Sequence, residues 1–283
     1  MQIGRPSVTA RGAAAFRAAH QALEGGRVFH DPLAARILAA DADDPLLEAA
    51  FRPEREDVRL SVAARARFAE DAVAAAVTRG VRQAVALGAG LDTFGCRNPY
   101  EAAGLRVFEV DHPTTQEWKR GRLAAAEIPV PPSLTFAPVD FERQSLADGL
   151  TAAGFDPARP AFFIWLGVVP YLTHTAVLDT LGFIADLPGG SGVVFDYGEP
   201  PDTLPPEHRA VYEARAAWAA EAGEPFLSFF TPEELAGDLH RLGFSAREDI
   251  RYRDLTARYE SGHRMADGYA DLGAHVIHTW LQG

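Results

Sequence analysis

A single cysteine, Cys96, in 283 residues excludes an internal disulfide and fits a reducing compartment, so a cytoplasmic setting is expected. The net charge of −12 comes without any long basic run, which argues against a phosphate-backbone partner; nucleic acid is not expected. No stretch approaches the roughly 20 apolar residues of a membrane span. The N-terminus lacks the charged-then-apolar pattern of a signal peptide. Internal repeats are absent, and the only compositional bias is toward alanine. Metal-ligand spacing is missing as well. His275 and His278 lie three apart on an expected strand and so face opposite ways, and the other histidines have no carboxylate or cysteine at ligand spacing. No metal is expected, and Cys96 reads as a small buried apolar residue. What remains is an apolar content of 47%, enough for a sizeable core in one large domain or two small ones.

The chain is organised around Ala84-Val85-Ala86-Leu87-Gly88-Ala89-Gly90-Leu91-Asp92-Thr93, with Phe108-Glu109-Val110-Asp111 downstream. A short apolar run bounded by glycine reads as a buried parallel strand. The Gly88-Ala89-Gly90 turn needs glycine for dihedrals that side chains forbid and for close approach of a ligand to the backbone. Asp111 follows Gly90 by 21 residues, enough for one helix and a return to the neighbouring strand with an acid at its tip to hold ribose hydroxyls. The third glycine of the dinucleotide fingerprint is missing, its position being taken by Thr93. A ribose acid without a pyrophosphate clamp fits S-adenosylmethionine, which has no phosphates, better than NAD. Asp92 reads as a residue that shapes the glycine loop.

Around this centre the pattern alternates. Strands are expected at 83–88, 105–110, 134–139, 161–167 and 192–197, with helices at 114–126, 143–153 and 174–186 and a short irregular helix near 93–103. Two closing strands, 244–252 and 273–281, follow a helix opened by Thr231-Pro232-Glu233-Glu234, where cap, proline and acidic first turn coincide. Before the first strand lie helices at 8–24 and 58–78 and one begun by Asp31-Pro32, with a break at Asp41 to Pro45. The fold class is therefore α/β: a doubly wound, mostly parallel sheet with an antiparallel C-terminal edge. Residues 1–80 are expected to form a helical cap and 81–283 the core, in one compact unit; an insertion at 199–230, with its own helix at 207–222, is expected as a lid. Gly88, Asp111, Asp140, Gly167 to Tyr171 and Tyr197 all fall at carboxyl ends of strands, where open sheets bind ligands.

These residues resemble the leucine carboxyl methyltransferase family, and within it a bacterial branch of S-adenosylmethionine-dependent O-methyltransferases. Asp31-Pro32-Leu33-Ala34 is similar to the branch's N-terminal motif, Leu87 to Thr93 to its first core motif, and Phe108 to Asp111 with Pro113 to its second. Asp140-Phe141 is similar to the adenine-side pair, and Leu166-Gly167-Val168-Val169-Pro170-Tyr171-Leu172 to the fourth-strand motif. The resemblance implies a Rossmann-like class I methyltransferase with a seven-stranded sheet, and S-adenosyl-L-methionine as cofactor. It implies that Arg65, 23 residues before Gly88, holds the methionine carboxylate. Leu166 stands where phosphatase-type members carry a glutamate for the donor's amino group. Losing a charge-assisted bond costs about 1.5–3 kcal/mol, and only backbone carbonyls are left to accept from that amino group. The N-terminal lysine of phosphatase-type members has no match either, so a small-molecule acceptor is expected, for which a secondary metabolite is the family's analogy.

Cofactor-binding candidates are thus Arg65, Gly88, Ala89, Gly90, Asp92, Asp111, His112, Asp140, Phe141 and Leu166, with His112 lining the adenine slot. Tyr171 and Tyr197, at consecutive strand tips, are candidates for positioning the sulfonium or the acceptor rather than for acting as a base. The expected reaction is methyl transfer to a carboxylate or hydroxyl oxygen. Leu166 keeps open a non-catalytic donor-binding module, and a nicotinamide oxidoreductase is a further alternative. Either a monomer or a homodimer is compatible with the sequence.

Overall fold

The computed structural model describes residues 7–38, 45–141, 143–260 and 272–282. Seven strands form one sheet: β1 (Gln83–Leu87), β2 (Arg106–Asp111), β3 (Leu134–Pro138), β4 (Phe162–Trp165), β5 (Gly192–Gly198), β6 (Phe244–Arg251) and β7 (Ala274–Leu281). Their order is β3-β2-β1-β4-β5-β7-β6. The first five are parallel, and β7 runs antiparallel to both β5 and β6. This is the doubly wound sheet with an antiparallel edge that the alternation predicts. The chain runs outward from β1 through β2 to β3 and then returns to lay β4 on the other side of β1. The boundary between β1 and β4 is therefore the topological switch point, where such sheets bind their ligands.

The strands are near-continuous apolar runs because helices cover both faces. On one face α7 (Leu146–Ala152), α8 (His174–Ala185) and α10 (Pro232–Arg241) pack Leu150, Leu181 and Leu235 against Phe163 and Phe195. On the other, α4 (Glu56–Thr78) and α11 (Tyr252–Tyr259) pack Leu60, Phe68 and Leu255 against Val107, Phe162 and Val276. Burial of each such large side chain is worth about 1.5–3 kcal/mol. In α4, buried Ala69, Ala72, Val73 and Ala76 recur at the three- and four-residue spacing of a helix face. Alanine favours the helix and keeps that face flat enough for close packing. The helix stops at Gly80, whose φ of 94° is the left-handed conformation that ends helices. Although α4 lies in the stretch expected as a cap, it is a layer of the sheet's own core. The cap proper is α1 (Val8–Leu23), α2 (Ala34–Leu38) and α3 (Pro45–Ala50), which close on Leu91 and on Leu123 of α6 (Pro113–Ala125).

Three local expectations change. Pro45 opens α3, while the rest of the expected break, 41–44, lies outside the described residues. Helix α7 begins at Leu146, capped by the Ser145 side chain, and not at 143. Tyr252, expected as the end of a strand, begins α11. The insertion carries α9 (Pro206–Glu221). Among the described residues no helix is long and apolar enough to cross a membrane.

Candidate functional site

The glycine loop leaves β1 with φ of 62° at Gly88 and 48° at Gly90. A Cβ on Gly88 would lie 2.5 Å from a Val168 methyl, and one on Gly90 2.9 Å from the Ala10 methyl. Glycine is thus required for the dihedrals, as expected, and the space it leaves is taken up by the chain's own Val168 and Ala10 side chains. The N–H of Ala89 donates to the Val110 carbonyl at 3.1 Å, and that of Gly90 to the Asp111 carboxylate at 2.6 Å. The other Asp111 oxygen accepts from the His112 N–H at 2.7 Å. Burial raises the Asp111 pKa, and the two backbone donors only partly offset it. One carboxylate therefore fastens the loop after β1 to the tip of β2 and retains unused lone pairs.

Asp92 caps the next turn, its Oδ1 accepting from the Phe94 N–H at 2.7 Å. Burial opposes its charge, but Arg17, Lys119 and Arg97 outweigh that and lower its pKa. It shapes the loop, as expected. Behind it lies an ionic web that the sequence did not disclose. Arg17 donates to the Leu91 carbonyl at 2.8 Å and to the Asp31 carboxylate at 3.1 Å. Thr93 donates to the other Asp31 oxygen at 2.7 Å. Asp31 does cap the start of α2 through the Leu33 N–H, but, wholly buried, it also clamps the glycine loop to α1. His112 uses its Nδ1 to cap α6, accepting from the Thr114 N–H at 3.3 Å.

Past β3, Asp140 lies 3.4 Å from the Arg143 guanidinium and Phe141 is 65% exposed, a large ring held in the open beside the acid. The tip of β4 places Leu166 half-buried against the α4 side of the core. Gly167 follows with φ of 71°, and its N–H donates to Asp196 Oδ1 at 2.6 Å. Arg65 reaches the same spot from α4. A Cβ on Gly167 would lie 3.5 Å from its guanidinium, whose Nη1 donates to Asp196 Oδ2 at 2.6 Å and to the Tyr252 hydroxyl at 3.3 Å. Tyr252 donates in turn to Asp196 Oδ2 at 2.7 Å. Burial opposes the Arg65 charge, but Tyr252 and Asp196 more than compensate and raise its pKa. The Nε of Arg65 is buried with no partner among the described residues. The expectation that only backbone carbonyls face the site near Leu166 therefore needs correction: β5 brings a carboxylate to the tip of β4. Its signal was in the sequence, since Asp196 is the one charge in Val193-Val194-Phe195-Asp196-Tyr197.

Tyr171 closes a 3-10 turn, Val169–Tyr171, with its ring 5.4 Å from that of Phe226. Burial raises its pKa, so its hydroxyl stays a proton donor at neutral pH. The insertion folds over this turn. Leu227 N–H donates to the Pro170 carbonyl at 2.7 Å and the Ser228 hydroxyl to the Val169 carbonyl at 2.9 Å. Glu224 reaches across to cap α1, accepting from the Val8 and Thr9 N–H groups at 3.2 Å each. The insertion thus packs on the turn that holds Tyr171 and reaches the start of α1.

Tyr197 is placed differently from expectation. Strand alternation turns it to the face opposite Asp196, where it is 2% exposed and leaves no ring face open. Its hydroxyl donates to Asp249 at 2.6 Å and its ring stacks on His275 at 4.9 Å. His275 bridges two acids, Asp249 at 2.9 Å and Glu199 at 3.0 Å. Burial opposes a charge on His275, but both acids outweigh it and raise the pKa above the ordinary histidine value. A raised folded-state pKa stabilises fully below the unfolded value near 6.5 and is lost as pH rises through the folded one. Replacing His275→Gln is therefore expected to cost more stability near pH 5.5 than near pH 9, as read from urea midpoints. Equal costs at both would show that the ring is neutral throughout. Among the described residues no group of three or more His, Cys, Asp or Glu side chains is placed to hold a metal ion.

The chain matches the family model described as leucine carboxyl methyltransferase over residues 10–185. It is 34% identical over 217 residues to the Bacillus subtilis protein YktD, provisionally named an S-adenosyl-L-methionine-dependent methyltransferase; the match covers 76% of this chain and 71% of that one. It is 33% identical over 259 residues to FRAAL3718 of Frankia alni, provisionally given the same description, covering 89% of this chain and 86% of that one. A crystal structure from Thermobifida fusca, provisionally titled a methyltransferase, superposes with a TM-score of 0.60 over 100% of this chain and 97% of that one. At 20% identity this last is a likeness of fold.

Proposed function

The chain belongs to the leucine carboxyl methyltransferase family, and from that premise we propose that it methylates an oxygen, a carboxylate or a hydroxyl, of a small molecule. It is an S-adenosylmethionine-dependent methyltransferase, as its relatives are described. The nicotinamide alternative falls with that assignment. The observation that carries the site reading is the Asp111 carboxylate, fastened to Gly90 N–H at 2.6 Å at the switch point with acceptor capacity to spare.

The residues present fit the donor. Asp111, beside the glycine loop, offers lone pairs to a ribose diol, and Arg65 holds a buried Nε–H in search of an acceptor. In this reading Gly88, Ala89 and Gly90 form the floor and Asp111 holds the sugar. Asp140, Phe141 and His112 frame the base, and Arg65 meets the methionine carboxylate. Bound there, S-adenosylmethionine supplies a methyl group on a sulfonium. The protein's contribution is to hold the acceptor oxygen near contact, in line with the leaving sulfur, and to exclude water. A carboxylate acceptor, with a pKa near 4, is already ionised and needs no base. Tyr171, a proton donor under the lid, orients the acceptor and does not deprotonate it.

Calorimetry with S-adenosylhomocysteine, followed by a radiolabelled-methyl survey of small carboxylic acids and phenols, tests this. Binding of the demethylated product with label appearing in an ester or ether is the expected result. Absence of product binding removes the donor site, and label recovered only in protein or on nitrogen removes the small-molecule O-methylation.

A further inference from the structure

Asp196 is a charged residue on the inner face of an apolar strand, 6% exposed, and the ribose reading gives it no role. Its two oxygens accept from three groups: the Gly167 N–H at 2.6 Å, Arg65 Nη1 at 2.6 Å and the Tyr252 hydroxyl at 2.7 Å. An ionised carboxylate offers about four lone-pair directions, so one is left. All three donors are themselves fixed, by the turn after β4, by α4 and by the start of α11. The cluster sits at the tips of β4 and β5, beside the switch-point crevice, and Leu166 brings no polar side chain there. Arg65 complements it as a cation with an unspent buried N–H.

A cation and an anion locked side by side at a strand tip match the amino-acid end of the donor, which carries one carboxylate and one ammonium. We propose that Asp196 is a donor-binding residue: it holds Arg65 in position for the donor's carboxylate and itself accepts from the donor's ammonium, while Tyr252 fixes the carboxylate's rotamer. This rests on the donor reading above. It makes β5 and α11 part of the donor site.

The test compares two ligands that share the adenosine and differ in the amino-acid tail: S-adenosylhomocysteine and 5′-methylthioadenosine. Asp196→Asn is expected to weaken the first by about tenfold to a hundredfold, the worth of one charge-assisted hydrogen bond, and to change the second less than threefold. Adding Leu166→Glu to Asp196→Asn returns a carboxylate to the same tip and is expected to recover part of the loss. Equal weakening of both ligands would make Asp196 a structural residue and overturn the proposal, as would no change in either. The unaltered protein gives a second reading that does not depend on the variant folding. Homocysteine-tail analogues without the α-amino group are expected to bind at least tenfold more weakly than S-adenosylhomocysteine; equal affinity removes the ammonium contact. If wild-type protein binds neither adenosine ligand, the donor reading itself fails, an outcome distinct from failure of the Asp196 assignment.

Discussion

Asp111→Ala is expected to lower affinity for S-adenosylhomocysteine by roughly a hundredfold or more, with the fold retained. Each hydrogen bond from a ribose hydroxyl to an ionised acid is worth about 1.5–3 kcal/mol, and loss of the acid removes both. A second effect adds to the first. Asp111 also accepts from the Gly90 and His112 N–H groups, at 2.6 and 2.7 Å, so the glycine loop loses its fastening to β2. Asparagine is not a neutral replacement here, because one of those backbone donors would then face an NH2 group. Asp111→Asn is therefore expected to lose nearly as much as alanine, whereas at a site where only shape mattered it would bind almost normally. Because burial raises the Asp111 pKa, acid should weaken product binding at a pH above that typical of an aspartate. Calorimetry across pH, with circular dichroism to confirm folding, reads all three. An alanine variant binding within threefold of wild type would place the sugar elsewhere.

The parts of this site that the sequence exposed are those whose physics is local. Gly88 and Gly90 are needed by their own dihedrals, and the apolar runs on either side announce strands whose ends must converge. What it concealed is tertiary pairing. Arg65 lies 131 positions from Asp196 and 187 from Tyr252, so nothing at residue 65 identifies its partners. A weaker signal was present all the same, in the form of an acid inside an apolar strand, at Asp196 and again at Glu109. Such a residue is either paired or functional, since an unpaired buried charge is too costly. Period-two alternation, applied to β5, also separates Asp196 from Tyr197 and would have sent the tyrosine to the Phe230 side of the sheet. Helix α11 escaped for a different reason. It follows β6 without a glycine or proline break, its N-cap residue Arg251 makes no capping bond, and eight residues are too few to set a clear helical period.

The other large effect is expected on stability and comes from Lys119, the chain's sole lysine. It is 1% exposed, with Nζ 2.6 Å from Glu109 and 2.5 Å from the Asp92 carbonyl. Glu109 is equally buried, and its Oε1 has no partner among the described residues. Lys119→Met preserves most of the side chain's volume and removes its charge, leaving Glu109 alone in the core. Breaking a buried pair this way costs about 3–5 kcal/mol. The sign of the pH dependence follows. Burial raises the Glu109 pKa even against the pull of Lys119, and without the lysine it must rise further. The folded variant then binds a proton that the unfolded chain releases, so its stability falls as pH rises. The deficit relative to wild type is expected to be smaller near pH 5 than near pH 8 in urea titrations, and Glu109→Gln added to Lys119→Met should recover part of it. The same substitution frees the Asp92 carbonyl, and with it the start of the turn that follows Gly90, so product affinity should fall alongside stability. A deficit independent of pH, and unrepaired by the glutamine, would assign the cost to lost packing and remove Glu109 from the account.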